Sequence, residues 1–311
     1  MPNKLLVVIG GPTGVGKTDV AIRLALHYHT SILSADSRQI YSELSIGVGK
    51  PTPEQMEMVP HYLIGHTDIF NRYSAGDYTR DALAVLNRLF KEHDIAFMTG
   101  GTGLYIKAIL EGFDEIPEVP DEINDHWTSL WKEQGVEALK SALKKSDPDY
   151  MDTVDASNPM RLIRALAVSE ASGKPYSSFR KGEKAVRPFN TLTILLDRPR
   201  EELYTRIDQR VLFMMANGWI DEAKSLYPYR NLKALQTVGY KELFDFLDER
   251  LTLDEAISAI QQSTRRYAKR QLTWWRHQGE WHSFSPEDVY SIINIIDQEI
   301  AARGKEQGAG S

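Results

Sequence analysis

The chain has 311 residues, of which 42% are hydrophobic and 26% charged, and these values predict a globular protein with a sizeable core. It contains no cysteine, which excludes disulfides, thiolate metal sites and cysteine nucleophiles and is typical of a reducing cytosol. The formal net charge of −6 argues against non-specific binding of nucleic acid by the whole surface. The first apolar run, residues 5–9, is too short for a secretory or membrane-spanning segment, so a cytoplasmic protein without membrane contact is expected.

A phosphate-binding loop is the strongest motif. Residues 11–18 match the pattern Gly-x-x-x-x-Gly-Lys-[Ser/Thr] between a predicted buried strand at 5–9 and a predicted amphipathic helix at 19–29. Backbone amides and the helix N-terminus would face phosphate oxygens, Lys17 would add a charge, and the Thr18 hydroxyl could hold Mg²⁺. An ordinary glycine-rich turn is the alternative, and the flanking strand and helix make it less favoured. The residues predicted to bind a diphosphate or a nucleotide such as ATP are Gly10, Gly11, Pro12, Thr13, Gly14, Val15, Gly16, Lys17 and Thr18.

Two further strands end in polar or glycine-rich turns. Residues 31–35 predict a strand that ends at Asp36, which should lie beside the phosphate loop because ligands sit beyond the carboxyl ends of parallel strands. A helix N-cap is an equally good reading of Asp36. After a predicted helix at 77–91, residues 95–98 predict a third strand that runs into the turn 99–103. This turn can bring a backbone close to a substrate, but a simple tight turn is favoured.

The composition changes after residue 112. An acidic, proline-containing stretch is followed by predicted helices at 123–146 and 158–172, and the β-branched run 191–196 returns the chain to the sheet. The predicted fold is therefore α/β, with a P-loop NTPase-like parallel sheet core flanked by helices and a helical insertion. The core comprises residues 1–112 and 190–311, and the insertion residues 113–189.

The remaining third of the chain is predicted to be mostly helical. Arg206 and Arg210 lie at i, i+4 on one helix face, where they could clamp a phosphate or simply carry surface charge. Basic residues concentrate in 159–188 and 263–277, which fits either one polyanion-binding surface or solvated helix faces. Residues 303–311 predict a polar, disordered tail.

Several strings resemble the bacterial tRNA dimethylallyltransferase family and occur in its order. They span nearly the whole chain: 10–18 (GGPTGVGKT), 34–41 (SADSRQIY), 100–105 (GGTGLY), 161–166 (RLIRAL), 238–242 (VGYKE) and 269–274 (KRQLTW). The chain departs from the family's usual residues at 47–50, 61–65 and 124–126. The resemblance implies transfer of a dimethylallyl group from dimethylallyl diphosphate to the exocyclic amine of tRNA adenosine 37, next to the anticodon.

The resemblance also implies roles for particular residues. Asp36 would accept the proton of the amine, and Thr102 would orient either the amine or this proton acceptor. Lys17, Arg206, Arg210 and Mg²⁺ at Thr18 would stabilise the departing diphosphate. The tRNA anticodon stem-loop would be the partner of a monomeric protein. The residues expected to bind it are Asp36, Ser37, Arg38, Gln39, Met160, Arg161, Leu162, Ile163, Arg164, Lys269 and Arg270.

Two other functions use the same residues. A P-loop kinase for a small hydroxylated substrate would employ Asp36 as its base and the insertion as a lid. A nucleotide-controlled RNA-binding module would need Asp36 only as a cap.

Overall fold

Strand β1 (Leu5–Gly10) lies inside a parallel sheet in the computed structural model. Over residues 4–114, 116–182 and 184–308, which the structure describes, the chain forms one six-stranded sheet of order β3-β2-β4-β1-β5-β6. Every neighbouring pair is parallel. The other strands are β2 (Ile32–Ser34), β3 (His61–Tyr62), β4 (Ile95–Thr99), β5 (Asn190–Leu196) and β6 (His282–Phe284). The parallel α/β core predicted from the sequence is confirmed.

The continuous apolar run of β1 is explained by burial on both faces of the sheet. Leu6 and Val8 belong to one hydrophobic cluster, whereas Leu5, Val7 and Ile9 belong to a second cluster. This alternation follows from the two-residue period of a strand, and helices cover both faces of a parallel sheet. A strand of this kind therefore reads as uninterrupted hydrophobic sequence.

Helices pack on both faces of the sheet, and the starts of some of them follow local capping signals. Helix α3 begins two residues before its predicted start because Ser74 and Asp77 form a capping box, and Thr252 and Glu255 do the same for α11. The helices of this part of the chain are α1 (Lys17–His27), α2 (Pro53–Met58), α3 (Ala75–Glu92), α4 (Gly103–Glu111), α8 (Arg200–Ala216), α9 (Trp219–Leu226), α10 (Tyr240–Leu247), α11 (Leu253–Arg276) and α12 (Val289–Gly308).

No helix or strand prediction from the sequence covered helices α2 and α12 or strand β6, which lie outside residues 111–185. Strand β6 is short and largely exposed, so it lacks an apolar run, yet it pairs with β5 from Ile194 opposite His282. Helix α12 buries Ile292 and Ile296 in the second cluster and continues through Gly308. The predicted disordered tail is therefore wrong for residues 303–308, which include good helix formers, while residues 309–311 lie outside the described part of the chain.

The chain divides into two compact units, residues 1–110 with 186–311 and residues 111–185. The sequence placed these boundaries after residues 112 and 189. In the second unit, α5 (Asp121–Ser146) is interrupted by Gly135 at φ +77°, and α6 (Pro148–Met151) and α7 (Pro159–Ser172) follow. Its core contains Leu139, Leu143, Leu162, Ile163 and Leu166.

The chain enters and leaves the second unit at two points that lie close together in space. The Ala185 amide donates to the Glu111 carbonyl at 2.7 Å, and a Cβ placed on Gly112 would lie 2.6 Å from the Cβ of Ala185. The residues that bring the chain out of this unit thus run beside those that lead into it.

Among the described helices, none is both long and apolar enough to cross a bilayer.

Candidate active site

The phosphate loop connects the carboxyl end of β1 to α1. Gly14 and Gly16 have φ values of +82° and +108°, a region that disfavours residues with a Cβ, and α1 begins immediately afterwards at Lys17. The Lys17 ammonium donates to the carbonyl oxygens of Gly11 and Pro12, both at 2.9 Å. The loop therefore folds around the Lys17 ammonium at the N-terminus of α1. Gly10, however, ends β1 and is buried against Trp275 and Trp281, so it lies behind the loop.

Lys17 is electrostatically coupled to two other predicted site residues. Burial lowers the pKa of Lys17 to about 8, the carboxylate of Asp36 opposes this decrease, and the guanidinium of Arg210 adds to it. Burial also lowers the pKa of Arg210, again against the charge of Asp36. Two cations and one carboxylate thus lie close together where β1 and β2 end, and two positive charges with lowered pKa values favour a bound anion.

Asp36 follows β2 and uses one oxygen to hold its own turn. Its Oδ1 accepts hydrogen bonds from the backbone amides of Arg38 at 2.8 Å and Gln39 at 3.3 Å. The residues after Asp36 form a turn and not a helix, so the helix N-cap interpretation is wrong although the same oxygen does cap a turn. Both bonds use Oδ1, which leaves Oδ2 facing the Gly101 backbone of the next turn.

The turn after β4 packs directly on the turn after β2. The Thr102 amide donates to the Ala35 carbonyl at 3.1 Å, and the Thr102 hydroxyl accepts from the Ser37 amide at 2.9 Å. A Cβ on Gly100 would collide with the backbone of Ala35, so this glycine allows the close approach. The glycine-rich turn therefore does more than reverse the chain, because it fixes Thr102 beside Asp36.

A cavity of about 310 Å³ opens beside these turns within the first unit. Asp36, Ser37 and Arg210 line its polar part, and helix α8 contributes apolar side chains opposite. Gly49 makes room for Arg210, because a Cβ there would overlap the guanidinium. The full lining is Thr13, Asp36, Ser37, Arg38, Gly47, Val48, Ile207, Arg210, Val211, Met214, Trp219, Thr237, Val238, Thr264 and Tyr267.

The two arginines of α8 have different environments. Arg210 lines the cavity, whereas Arg206 is exposed and its Nε donates to the Gly14 carbonyl at 3.2 Å. Arg206 contacts the phosphate loop directly, and of the two arginines only Arg210 lines the cavity. In the described ranges no group of three or more histidine, aspartate or glutamate residues is arranged to hold a metal ion.

The comparisons with known proteins give a consistent assignment. A family model described as IPP transferase matches residues 39–278 of the chain. A tRNA dimethylallyltransferase of Bacteroides thetaiotaomicron is 46% identical over 291 residues, which cover 94% of this chain and 94% of that protein. The chain belongs to the tRNA dimethylallyltransferase family. It is thus an enzyme of the prenyltransferase class, and the kinase alternative is not favoured.

Solved structures of the family share the fold. The full-length tRNA isopentenylpyrophosphate transferase of Bacillus halodurans is 33% identical with a TM-score of 0.73, and the match covers 98% of this chain and 99% of that one. A eukaryotic dimethylallyltransferase, solved acting on tRNA, is 25% identical with a TM-score of 0.79 over 92% of this chain and 75% of that one. The predicted P-loop NTPase-like fold of this tRNA dimethylallyltransferase family member is confirmed.

The predicted tRNA-binding residues of the first unit also make contacts within the protein. The Gln39 side chain accepts from the Ser34 hydroxyl at 2.9 Å and donates to the Gly49 carbonyl at 3.0 Å, so it holds the loop that lines the cavity. Its contact with tRNA stays a prediction. Arg38 also lines the cavity and donates to the Ala234 carbonyl at 2.9 Å. Lys269 and Arg270 are exposed, and Arg270 lies over the ring of Tyr267.

The candidate RNA residues on α7 split into two groups. Met160, Arg161 and Arg164 are exposed, but Leu162 and Ile163 are only 0% and 2% exposed in the core of the second unit. The prediction that Leu162 and Ile163 contact tRNA is therefore corrected, since the helical period that exposes the arginines turns these two side chains inward.

Glu222 on α9 is a residue that the sequence did not single out. Its Oε2 accepts from the amides of Ser45 at 3.0 Å and Ile46 at 2.8 Å, and its Oε1 accepts from the Gly47 amide at 3.0 Å and the Tyr240 hydroxyl at 2.5 Å. Three successive amides thus converge on one carboxylate and hold the loop that contributes Gly47 to the cavity. No local sequence pattern joins Glu222 to residues so far away in the chain.

Glu222→Gln is expected to lower the free energy of unfolding by about 1–3 kcal/mol, because charge-assisted hydrogen bonds are lost and an NH₂ group faces backbone amides. Urea unfolding of the two proteins measures the difference. Asp221→Asn is the matched control, since its carboxylate is exposed and has a 3.4 Å ion pair with Lys224. Equal stability of Glu222→Gln and the control would show that the carboxylate does not hold the loop.

Proposed function

We propose that this enzyme transfers a dimethylallyl group from dimethylallyl diphosphate to the exocyclic amine of adenosine 37 in tRNA. The observation that carries the proposal is the cavity beside the phosphate loop that both Asp36 and Arg210 line. The curated relatives named tRNA dimethylallyltransferase support it, as does the related eukaryotic enzyme solved acting on tRNA.

In the proposed reaction the adenine nitrogen attacks the allylic carbon of the donor. The carbon–oxygen bond breaks, the diphosphate leaves with the electron pair, and a proton of the amine moves to Oδ2 of Asp36. An adenine amine is a weak nucleophile, so a placed carboxylate that removes this proton assists the attack. The hydroxyl of Thr102, which bonds the turn after Asp36, would keep the carboxylate and the amine aligned.

Charge that develops on the leaving diphosphate would be balanced by Lys17, Arg210 and the amides at the start of α1. Arg206 would add its charge from outside the cavity. Electrostatic stabilisation of this type is commonly the largest contribution of an active site. The Thr18 hydroxyl, partly exposed in the first turn of α1, would hold Mg²⁺. This fits the ion's preference for substrate phosphates and water over an all-protein cage, and the ion would supply further positive charge to the diphosphate.

The apolar part of the cavity would hold the dimethylallyl group. This part is lined by Val48, Ile207, Met214 and Trp219. Apart from the indole nitrogen of Trp219, these side chains carry no hydrogen-bonding group, so an aliphatic chain beside them leaves none unsatisfied. Apolar walls also keep water from the carbon that becomes electron-deficient, which limits hydrolysis of the donor.

The adenine would have to leave its stack to enter the cavity, which costs a few kcal/mol. Contacts elsewhere on the anticodon stem-loop would offset this cost. We propose Ser37 and Arg38 for bases near the cavity, and Met160, Arg161, Arg164, Lys269 and Arg270 for the RNA surface, because all of these residues are exposed or line the cavity. Splayed bases and backbone contacts are the usual mode of recognition in RNA loops.

One incubation tests the function. Protein, Mg²⁺, dimethylallyl diphosphate labelled in the prenyl group and unmodified tRNA are combined, and the label is followed into RNA. A transcript with guanosine at position 37 is the control and should stay unlabelled. Label-free RNA together with ATP-dependent phosphorylation of a small alcohol would favour the kinase. RNA binding with no transfer of any group would favour the nucleotide-controlled binding module.

Arg161→Ala is expected to weaken tRNA binding and to reduce the slope of log K against log salt by about 1 if the guanidinium neutralises one phosphate. Filter binding at several salt concentrations measures the slope. Arg80→Ala is the control, because this exposed arginine is already paired with Asp77 and Asp81. A slope that matches wild type would remove Arg161 from the phosphate contacts.

We further propose that the chain works as a monomer in the cytoplasm, where tRNA is available. The residues proposed for the chemistry, Lys17, Asp36, Thr102 and Arg210, all belong to the compact unit formed by residues 1–110 and 186–311. Sedimentation at the concentrations used for the assay tests this, and activity that rises with dimer formation would contradict it.

A further inference from the structure

Gln271 of α11 joins two loops that come from different strands. Its Oε1 accepts a hydrogen bond from the Thr13 amide at 2.8 Å, and its Nε2 donates to the Gly101 carbonyl at 2.9 Å. Thr13 belongs to the phosphate loop after β1, and Gly101 belongs to the turn after β4. The side chain is 7% exposed, so one buried amide group bridges the two loops.

The two loops carry different halves of the proposed reaction. The phosphate loop carries Lys17, which would face the diphosphate. The Gly101 turn carries Thr102 and packs against Asp36, so that a Cβ on Gly101 would lie 3.9 Å from Oδ2 of Asp36. Gln271 therefore connects the loop assigned to the diphosphate with the turn that packs beside the proposed proton acceptor.

We propose that Gln271 is a positioning residue that sets the distance between the phosphate loop and the Asp36–Thr102 pair. The proposal rests on the proposed function, because it assigns the two loops to the two substrates. Gln271 touches neither reacting atom, and it acts through the backbones of Thr13 and Gly101.

The chemistry of the side chain suits this task. Glutamine presents one acceptor and one donor at the end of the same group, and here each meets the complementary backbone atom. Glutamate would keep the acceptor for Thr13 but would place a second acceptor against the Gly101 carbonyl. Methionine would fill similar space and satisfy neither backbone group.

The surroundings hold the bridge in place. Ala268 and Trp275 of the same helix are buried, and a Cβ on Gly103 would lie 2.5 Å from the ring of Trp274. A Cβ on Gly101 would overlap the Gln271 amide itself, so the absence of a side chain at this glycine leaves the space that the amide occupies. Helix α11 thus contacts the turn after β4 at two points, Gly101 and Gly103.

Loss of one hydrogen bond should separate binding from turnover. When only the link to Gly101 is lost, the phosphate loop keeps its shape, but the carboxylate is no longer held at a fixed distance from the donor. A displacement of about 1 Å in reacting groups can reduce the rate about 10²-fold. The expected signature is a fall in kcat with little change in KM for the prenyl donor.

The test compares Gln271→Glu and Gln271→Met with wild type under identical conditions. For Gln271→Glu we expect kcat to fall about 10- to 100-fold while KM for dimethylallyl diphosphate stays within about 2-fold. For Gln271→Met, which loses both bonds, we expect kcat to fall and KM to rise. Gln262→Glu is the matched control, because this exposed glutamine lies on the same helix and should leave both constants unchanged.

Gly101→Ala approaches the same bridge from the other side. Its Cβ would displace the Gln271 amide, so it should reproduce the fall in kcat, and the double variant Gly101→Ala/Gln271→Met should lose less than the product of the two single losses. Thermal unfolding of each variant shows whether it is folded at the assay temperature. If one position fails to fold, the other carries the test.

Three outcomes are distinguishable. Wild-type kcat in Gln271→Glu and in Gly101→Ala would overturn the positioning role while leaving the proposed function intact. Fully multiplicative losses in the double variant would also overturn it, because the two residues would then act separately. A wild-type protein that never labels tRNA would instead contradict the proposed function.

Discussion

Replacing Asp36 by asparagine is expected to lower kcat for tRNA prenylation by about 10²- to 10⁴-fold, the usual contribution of a general base. Asparagine keeps an Oδ1 that can accept from the Arg38 and Gln39 amides, so the turn after β2 should survive. The second oxygen becomes an NH₂ group, which cannot accept the proton. Single-turnover transfer of labelled prenyl groups to tRNA measures the chemical step directly.

The interpretation of the Asp36 variant depends on two further measurements. Affinity for tRNA should change little, because the turn that presents Ser37 and Arg38 remains. Asp94→Asn, at an exposed carboxylate paired with Lys4, should behave as wild type. A loss of tRNA affinity as large as the loss of kcat would identify Asp36 as a recognition residue and not as the base.

Lys17→Met is expected to reduce kcat/KM for the donor by about 10²- to 10³-fold, which is typical when one donor to a developing anion is removed. Methionine fills much of the same volume but leaves the carbonyls of Gly11 and Pro12 without the ammonium. Steady-state kinetics with varied dimethylallyl diphosphate measure the effect. A normal kcat/KM would mean that the lysine only shapes the loop.

The lowered pKa of Lys17 gives the same residue a pH signature. Since its pKa in the free enzyme is about 8, the ammonium is charged below this pH and becomes neutral above it. The value of kcat/KM for the donor should therefore fall as the pH rises through about 8, because kcat/KM reports groups of the free enzyme. Lys17→Arg should retain its charge and lose this decline. A decline that persists unchanged in Lys17→Arg would assign it to another group.

Local sequence signals were enough for the part of the fold that carries the phosphate loop. A continuous apolar run followed by the glycine-rich loop and an amphipathic helix specified β1, the loop and α1, because each of these elements is set by neighbouring residues. Asp36 was also placed correctly near Lys17, since the ends of parallel strands share one edge of the sheet. Strand β6 escaped because its pairing with β5 is decided by tertiary contacts and not by its own hydrophobicity.

The residues that fix distances within the site could not be read from the sequence. Gln271 and Glu222 act on backbone groups about 170 or more positions away in the chain, and neither lies in a pattern that announces such a contact. The same limit applies to Gln39, whose string suggested RNA but whose amide is used inside the protein. Spacing reveals which face of a helix a residue occupies, but not what that face meets.

The side-by-side ends of residues 111–185 have a consequence for the history and the engineering of the chain. The Ala185 amide hydrogen-bonds to the Glu111 carbonyl, so the two ends of the segment lie next to each other. The connection between α4 and β5 therefore spans only a short distance, whatever the length of the segment. A segment attached in this way can be gained, lengthened or swapped without moving α4 or β5. Variants within residues 112–184 can therefore be made and compared while the loops that carry Lys17 and Asp36 keep their sequence.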